Sequence, residues 1–231
     1  MGGVQSIEAG EAGSVDSYVR LAEALGLRLE FDLIDPRRKQ GGTARWSDPV
    51  HSGMGEFEAA HLRKLNFPVR IDEPYQHYQF AGRADLVAWD VDTCALLHIE
   101  NRTRFPDLQE MAGSFNAKRA YLGPILADRL SVRHWRSETH VIAGLWSAEI
   151  LHSLRMRTET FRSLCPDPID GWAAWWAGQP PASGVRSILV VIDPQATGRQ
   201  RSWLGLADAL TTKPRYRGYA DAASAMMLGS G

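Results

Sequence analysis

The stretch 82-GRADLVAWDVDTCALLHIENRTRF-105 contains two apolar runs joined by a short polar segment, and it constrains the fold more than any other part of the chain. Residues 91–94 fit a four-residue turn, which predicts a β-hairpin. Side chains alternate between the two faces of a strand, so His98, Glu100 and Arg102 share one face and the intervening apolar residues take the other. A strand apolar enough for a protein core therefore carries a carboxylate and a guanidinium along one face.

The length of the turn determines which residues face each other in this hairpin. A four-residue turn places Asp85 directly opposite Glu100, whereas a register shifted by two places Asp85 opposite His98 and diagonal to Glu100. In both registers two carboxylates approach each other, and like charges in such positions are unfavourable. A divalent cation reverses the sign of this interaction, because Mg²⁺ takes carboxylate oxygens as ligands. The alternative is that the strand ends lie in solvent and both acids are hydrated.

A further carboxylate falls on the apolar face of a predicted helix at residues 54–65. Glu58 lies on this face, and a buried glutamate usually requires a partner. The alternative is a side chain that reaches water from near the end of the helix. The apolar face is marked by residues at helical spacing, namely Met54, Phe57, His61, Leu62 and Leu65.

Composition limits the class of protein. A chain of 231 residues with 44% hydrophobic residues can form one domain with an appendage. Its net charge of -1 gives no overall basic field, so nucleic-acid binding would depend on local patches or a metal. Cys94 and Cys165 lie far apart without metal-ligand spacing, which indicates reduced thiols and a cytoplasmic protein. No apolar run reaches membrane-spanning length.

The order of predicted elements is that of an α/β domain. After the hairpin, the pattern predicts a helix at 107–122, a strand at 139–146, a helix at 147–164 and a strand at 187–193. Residues 196–231 are predicted to form a tail with one short helix.

The motif Gly82-Arg83-Ala84-Asp85, followed by Ile99-Glu100-Asn101-Arg102 and a helix that opens with Gln109, resembles the PD-(D/E)XK nuclease superfamily over residues 54–195. The resemblance implies a restriction-endonuclease-like central mixed sheet flanked by helices. It also implies Mg²⁺- or Mn²⁺-dependent cleavage of DNA phosphodiesters. Asp85 and Glu100 would be metal ligands, Glu58 would be a direct or water-mediated third ligand, and Gln109 would steady the site.

The sequence departs from that superfamily at Arg102, which stands in the place of a lysine. An arginine does not lose its proton and cannot act as a base. It can still neutralise charge in the transition state, or its presence can mark a disabled enzyme. Lys118, on the following helix, could reach into the site instead, and the alternative is that Lys118 is a surface cation.

The N-terminal stretch 4-VQSIEAGEAGSVDSYVRLAEALGLRLEF-31 resembles the C-terminal half of the XRE helix-turn-helix family. The resemblance rests on Ile7-Glu8-Ala9-Gly10 and on residues 21–27, and it implies that Gln5 and Ser6 would face the DNA major groove. Residues 1–34 would be a partial helix-turn-helix, because the first two helices of that domain are missing, and residues 35–53 would be a linker. The start is either truncated or a remnant kept for packing or dimerisation.

Two functional hypotheses follow. The first is a DNA-binding protein with a Mg²⁺-dependent phosphodiesterase site. The second is an XRE-type transcriptional regulator whose nuclease-like domain is inactive and only binds DNA or forms a homodimer.

Overall fold

The computed structural model describes residues 15–24, 48–78, 80–198 and 200–228 of two compact units, Met1–Trp46 and Ser47–Gly231. The first unit contributes one described helix, α1 (Val15–Ala24). Gln5, Ser6 and the predicted linker as far as residue 47 lie outside the described residues.

The second unit alternates strands and helices. In chain order its described elements are α2 (Pro49–Lys64), β1 (Val69–His77), β2 (Phe80–Asp90), β3 (Ala95–Arg102), α3 (Leu108–Arg129), β4 (Ser137–Leu145), α4 (Ala148–Met156), α5 (Thr158–Leu164), α6 (Asp170–Trp176), β5 (Gly184–Ile192), β6 (Trp203–Gly205), α7 (Leu206–Thr211) and α8 (Tyr219–Leu228).

The six strands form one mixed sheet in the order β1-β2-β3-β4-β5-β6. Strands β1, β2 and β3 pair antiparallel, β3, β4 and β5 pair parallel, and β6 returns antiparallel along β5. The predicted α/β class with a mixed sheet is confirmed. Because β3, β4 and β5 run in the same direction, their carboxyl ends meet at one edge of the sheet.

Both faces of the sheet are covered. Leu86 and Ala88 of β2 belong to the larger hydrophobic cluster, whereas Val87 and Trp89 pack in a second cluster with α3. This division follows from the alternation of strand side chains. Because both faces are covered, β3 and β4 are buried over almost their whole length, and their polar residues are buried with them.

Helix α2 begins five residues before the predicted start, within the segment predicted as linker. Asp48 is its N-cap, since its side chain accepts hydrogen bonds from the backbone N–H groups of Val50 and His51. Pro49 occupies the first helical position, where its missing N–H costs nothing. The helix therefore begins at Pro49, inside the segment that the sequence predicted as linker.

The folded unit also extends beyond residue 195. Strand β6 pairs with residues 190–192 of β5, and α8 packs on α2, where Met226 is buried against Gly53. The segment predicted as a tail thus completes the sheet and the larger core. No helix within the described ranges is long and apolar enough to cross a membrane.

Candidate functional site

Asp85 and Glu100 meet at the end of the β2–β3 hairpin. Asp90 pairs with Ala95 and Leu86 pairs with Ile99, which is the register of the four-residue turn. Asp85 and Glu100 are the next residues along the two strands, and only 7% and 1% of their surfaces are exposed. The alternative of hydrated strand ends is therefore wrong.

Arg102 joins the two carboxylates. Its Nη1 atom lies 3.3 Å from Asp85 Oδ2, and its Nη2 atom lies 2.9 Å from Glu100 Oε2. One guanidinium therefore stands between the two acids, in the place where a shared cation would neutralise both.

Further donors hold the carboxylate of Asp85. The backbone N–H of Asn101 donates to Asp85 Oδ2 over 2.8 Å, and His51 Nε2 lies 3.2 Å from the same oxygen. Sequence reasoning missed His51, because it placed this residue in the linker. The N-cap at Asp48 is the local signal that could have extended the helix to include it.

Glu100 binds a second cation, Lys118, on the face covered by α3. Lys118 Nζ donates to Glu100 Oε2 over 2.5 Å, and Lys118 is buried. The alternative that Lys118 is a surface cation is wrong. Burial alone would raise the pKa of Glu100. The hydrogen bond from His98 and the positive charges of His98, Lys118 and Arg102 outweigh it and hold that pKa well below its usual range.

A pair of buried histidines supports Glu100 from behind. His98 Nε2 lies 2.9 Å from Glu100 Oε1, and His98 Nδ1 lies 3.2 Å from His140 Nδ1. Because a carboxylate can only accept, Nε2 of His98 carries the hydrogen. His140 Nε2 lies 3.3 Å from Glu138 Oε2, within ion-pair distance but without hydrogen-bond geometry. Burial lowers the pKa of His140 despite the acid beside it.

Glu58 is fully buried on α2, as its place on the apolar face predicted. Its Oε2 atom accepts a hydrogen bond from Asn101 Nδ2 over 3.0 Å. Within the described part of the chain, Glu58 Oε1 and Asn101 Oδ1 have no hydrogen-bond partner. Burial raises the pKa of Glu58 to about 8, with a further contribution from Asp85 and a partial offset by the Asn101 hydrogen bond. Glu58 therefore holds its proton to a higher pH than an exposed glutamate does.

Gln109 lies in the first turn of α3, where its backbone N–H donates to the N-cap Asp107. Its side chain is exposed, and no described contact joins it to Asp85 or Glu100. It lines a separate open cleft of about 1100 Å³. The predicted role of Gln109 in steadying the site therefore has no contact to support it.

The C-terminal segment borders the site. Tyr219, the first residue of α8, donates its hydroxyl hydrogen to Asp48 Oδ1 over 2.7 Å. The guanidinium of Arg104 lies 5.1 Å from the centre of the Tyr219 ring. Burial and the contact with Asp48 raise the pKa of Tyr219 to about 12. Since Asp48 caps the helix turn that carries His51, these contacts connect α8 to the edge of the Asp85 carboxylate.

The donor set fits Mg²⁺ better than a soft metal. Among the described residues, no group of three or more histidine, cysteine or acidic side chains is arranged to hold a metal ion. Mg²⁺ commonly binds through one or two carboxylates and takes its remaining ligands from water and substrate phosphates. Asp85 and Glu100 supply such a pair, and the unpartnered Glu58 Oε1 is a further oxygen nearby. The role of Glu58 as third ligand stays a prediction.

Comparison with protein-family models gives no match for this chain, and comparisons with curated proteins and with solved structures give none either.

Proposed function

We propose that the unit Ser47–Gly231 is a metal-dependent phosphodiesterase of the restriction-endonuclease-like kind that acts on DNA. One observation carries the proposal. Asp85, Glu100 and Lys118 come together in a buried cluster, with the Lys118 ammonium 2.5 Å from Glu100. Two carboxylates from adjacent strands with a lysine beside them form a set suited to phosphodiester chemistry, and here the lysine comes from α3.

Each residue of the cluster has a distinct part in this proposal. Asp85 and Glu100 would hold Mg²⁺ or Mn²⁺. When bound, the cation supplies Lewis-acid polarisation of the phosphate and lowers the pKa of water. Lys118 and Arg102 place fixed positive charge where negative charge grows on the phosphate oxygens.

The orientation of the carboxylates is fixed by hydrogen bonds from a side chain and from the backbone. His98 holds one oxygen of Glu100, and the backbone N–H of Asn101 holds one oxygen of Asp85. These hydrogen bonds restrain both acids before substrate binds, so less ordering remains to be done in the transition state.

A specific observation favours a second function, a DNA-binding regulator with an inactive site. Arg102 contacts both carboxylates, and Lys118 contacts one of them. Two protein cations thus balance two carboxylates without a metal, and a bound cation would have to compete with the guanidinium. The two functions differ in whether Mg²⁺ binds and whether DNA is cut.

The deciding experiment uses plasmid DNA with Mg²⁺ or Mn²⁺ and the Arg102→Lys variant. A lysine has one nitrogen and cannot contact both carboxylates with separate donors, as Arg102 does. This variant should therefore bind Mg²⁺ more tightly in calorimetry and nick the plasmid faster than the parent. Glu100→Gln should abolish cleavage. Arg133→Lys, which changes an exposed arginine away from the cluster, is the matched control and should behave like the parent.

If neither the parent nor Arg102→Lys binds Mg²⁺ or cuts DNA with either metal, the phosphodiesterase proposal fails. Retention of DNA binding in EDTA by all of these variants would then favour the regulator.

A further inference from the structure

The segment 213-KPRYRG-218, between α7 and α8, is held firmly at the carboxyl end of β4. Tyr216 is buried, and the backbone N–H groups of Arg215 and Tyr216 donate to the carbonyl oxygen of Trp146 over 3.0 and 3.2 Å. The backbone N–H of Ala148 donates in turn to the carbonyl oxygen of Tyr216 over 2.9 Å. This segment therefore has a fixed backbone.

The inward position of Tyr216 leaves its charged neighbours outside. Lys213, Arg215 and Arg217 are exposed. The guanidinium of Arg215 lies 5.0 Å from the centre of the Trp146 ring, and its Nε atom lies 3.7 Å from Asp193 Oδ2. The side chains of Lys213 and Arg217 form no hydrogen bond or ion pair with the described residues. Their charges are thus available to a ligand.

The same edge carries a fourth cation that connects the segment to the site. Arg104 is exposed, follows Arg102 by two residues and lies over the ring of Tyr219. Tyr219 begins α8 directly after the basic segment, and its hydroxyl contacts Asp48, the cap of the turn that brings His51 to Asp85. A continuous set of contacts therefore runs from Asp85 to Arg104 and on to the basic segment.

We propose that Arg104, Lys213, Arg215 and Arg217 form a basic strip that binds the sugar-phosphate backbone of a nucleic-acid strand and leads it to the Asp85–Glu100 cluster. The identification of the strand as substrate rests on the proposed phosphodiesterase function, whereas the binding itself does not require cleavage. Because the net charge of the chain is -1, binding to a nucleic acid needs a local positive patch, and the strip is such a patch.

The chemistry of the strip favours phosphate over an acidic polypeptide. Guanidinium groups match phosphate oxygens with paired donors, and the Trp146 and Tyr219 rings lie beneath two of these groups. Protein–protein interfaces have an apolar buried centre, whereas the strip consists of charged side chains, so a protein partner fits it less well. Glu149 and Asp221 border it, since a Cβ at Gly218 would lie 3.0 Å from Glu149 Oε1 and Asp221 accepts from the backbone of Arg217. Asp193, which lies 3.7 Å from Arg215 Nε, is a third acid at the strip, and the four cations outnumber the three acids.

The test compares two double variants of the full chain, Arg215→Gln/Arg217→Gln and the control Arg133→Gln/Arg136→Gln. The control removes two exposed arginines that precede β4, at the opposite end of the parallel strands. Binding to a short DNA duplex, to the corresponding single strand and to polyglutamate is measured by fluorescence anisotropy in EDTA at several salt concentrations. Thermal melting checks that each variant is folded.

For the strip variant we expect about tenfold weaker binding to DNA. The slope of the logarithm of the binding constant against the logarithm of the salt concentration should become less steep by about 0.9 for each lost phosphate contact on duplex DNA, or by about 0.7 on single strands. The control should bind as the parent does. Arg104→Gln should remove one further phosphate contact. The form of DNA, duplex or single strand, that loses more affinity in these variants is the form that the strip binds.

Equal losses in the strip and control variants would overturn the proposal, as would a loss on polyglutamate as large as that on DNA. The two proposals also fail separately. A chain that never cuts DNA but shows strip-specific binding refutes the phosphodiesterase and keeps the strip. A chain that cuts DNA with unchanged kcat/KM in the strip variant refutes the strip.

Discussion

Replacing Lys118 by methionine should destabilise the folded protein, because it removes one partner of a buried ion pair. The side chains of Lys118 and Glu100 are only 7% and 1% exposed. Removing one partner of such a pair costs about 3–5 kcal/mol when the other charge is left unpaired. Glu100 keeps the hydrogen bond from His98 and the contact with Arg102. The expected loss in the free energy of unfolding is therefore smaller, about 2–3 kcal/mol.

Urea denaturation at neutral pH, followed by circular dichroism, measures this loss. Lys64→Met is the matched control, since Lys64 is exposed on α2 and its replacement should change the free energy of unfolding by less than about 0.5 kcal/mol. The double variant Lys118→Met/Glu100→Gln should cost less than the sum of the two single changes, because neither partner is then left charged alone.

A loss at Lys118 no larger than that at Lys64, or additive effects of the two changes, would refute the pairing. In the same preparations Lys118→Met should reduce Mg²⁺-dependent cleavage even at temperatures where the variant is fully folded. Unchanged cleavage by folded Lys118→Met would remove the lysine from the proposed chemistry.

Three other experiments test separate parts of the structure. Glu58 keeps its proton in the folded state up to a pKa of about 8 but ionises near 4.5 when unfolded, so the free energy of unfolding should fall as pH rises between these values. Glu58→Gln should remove this fall, and an unchanged pH profile would contradict the burial of the acid. Cys165 has its pKa raised to about 12 by burial, so iodoacetamide should label it, as followed by mass spectrometry, only after unfolding, whereas the half-buried Cys94 should react first. Equal labelling of both cysteines in the folded protein would argue against this. Asp48→Ala should cost about 1–2 kcal/mol in urea denaturation, because it removes a helix cap and the partner of the Tyr219 hydroxyl. Asp48→Asn retains a capping oxygen and should cost less, so equal costs would exclude the cap as the cause.

The features predicted correctly from sequence depend on short stretches of chain. A turn of four residues sets the register of the hairpin, and the alternation of strand side chains then brings Asp85 to Glu100. The burial of Glu58 follows in the same way from the spacing of apolar residues on one helix. In each case the determining interactions lie within a few residues, so spacing indicates them, and the tertiary structure then decides between the burial and the hydration of these acids.

The rest of the site depends on contacts between distant segments. His98 and His140 face each other only because β3 and β4 pair in parallel in one particular register. Lys118 reaches Glu100 only because α3 packs on the sheet with its Lys118 face turned inward. Arg217 comes to the edge of the site through packing of the C-terminal segment, which local patterns had indicated to be a tail. Parallel pairing and helix packing are selected by the total apolar surface that the whole fold buries. No short stretch of the sequence carries that information, and only the tertiary structure decides which cations accompany the two carboxylates.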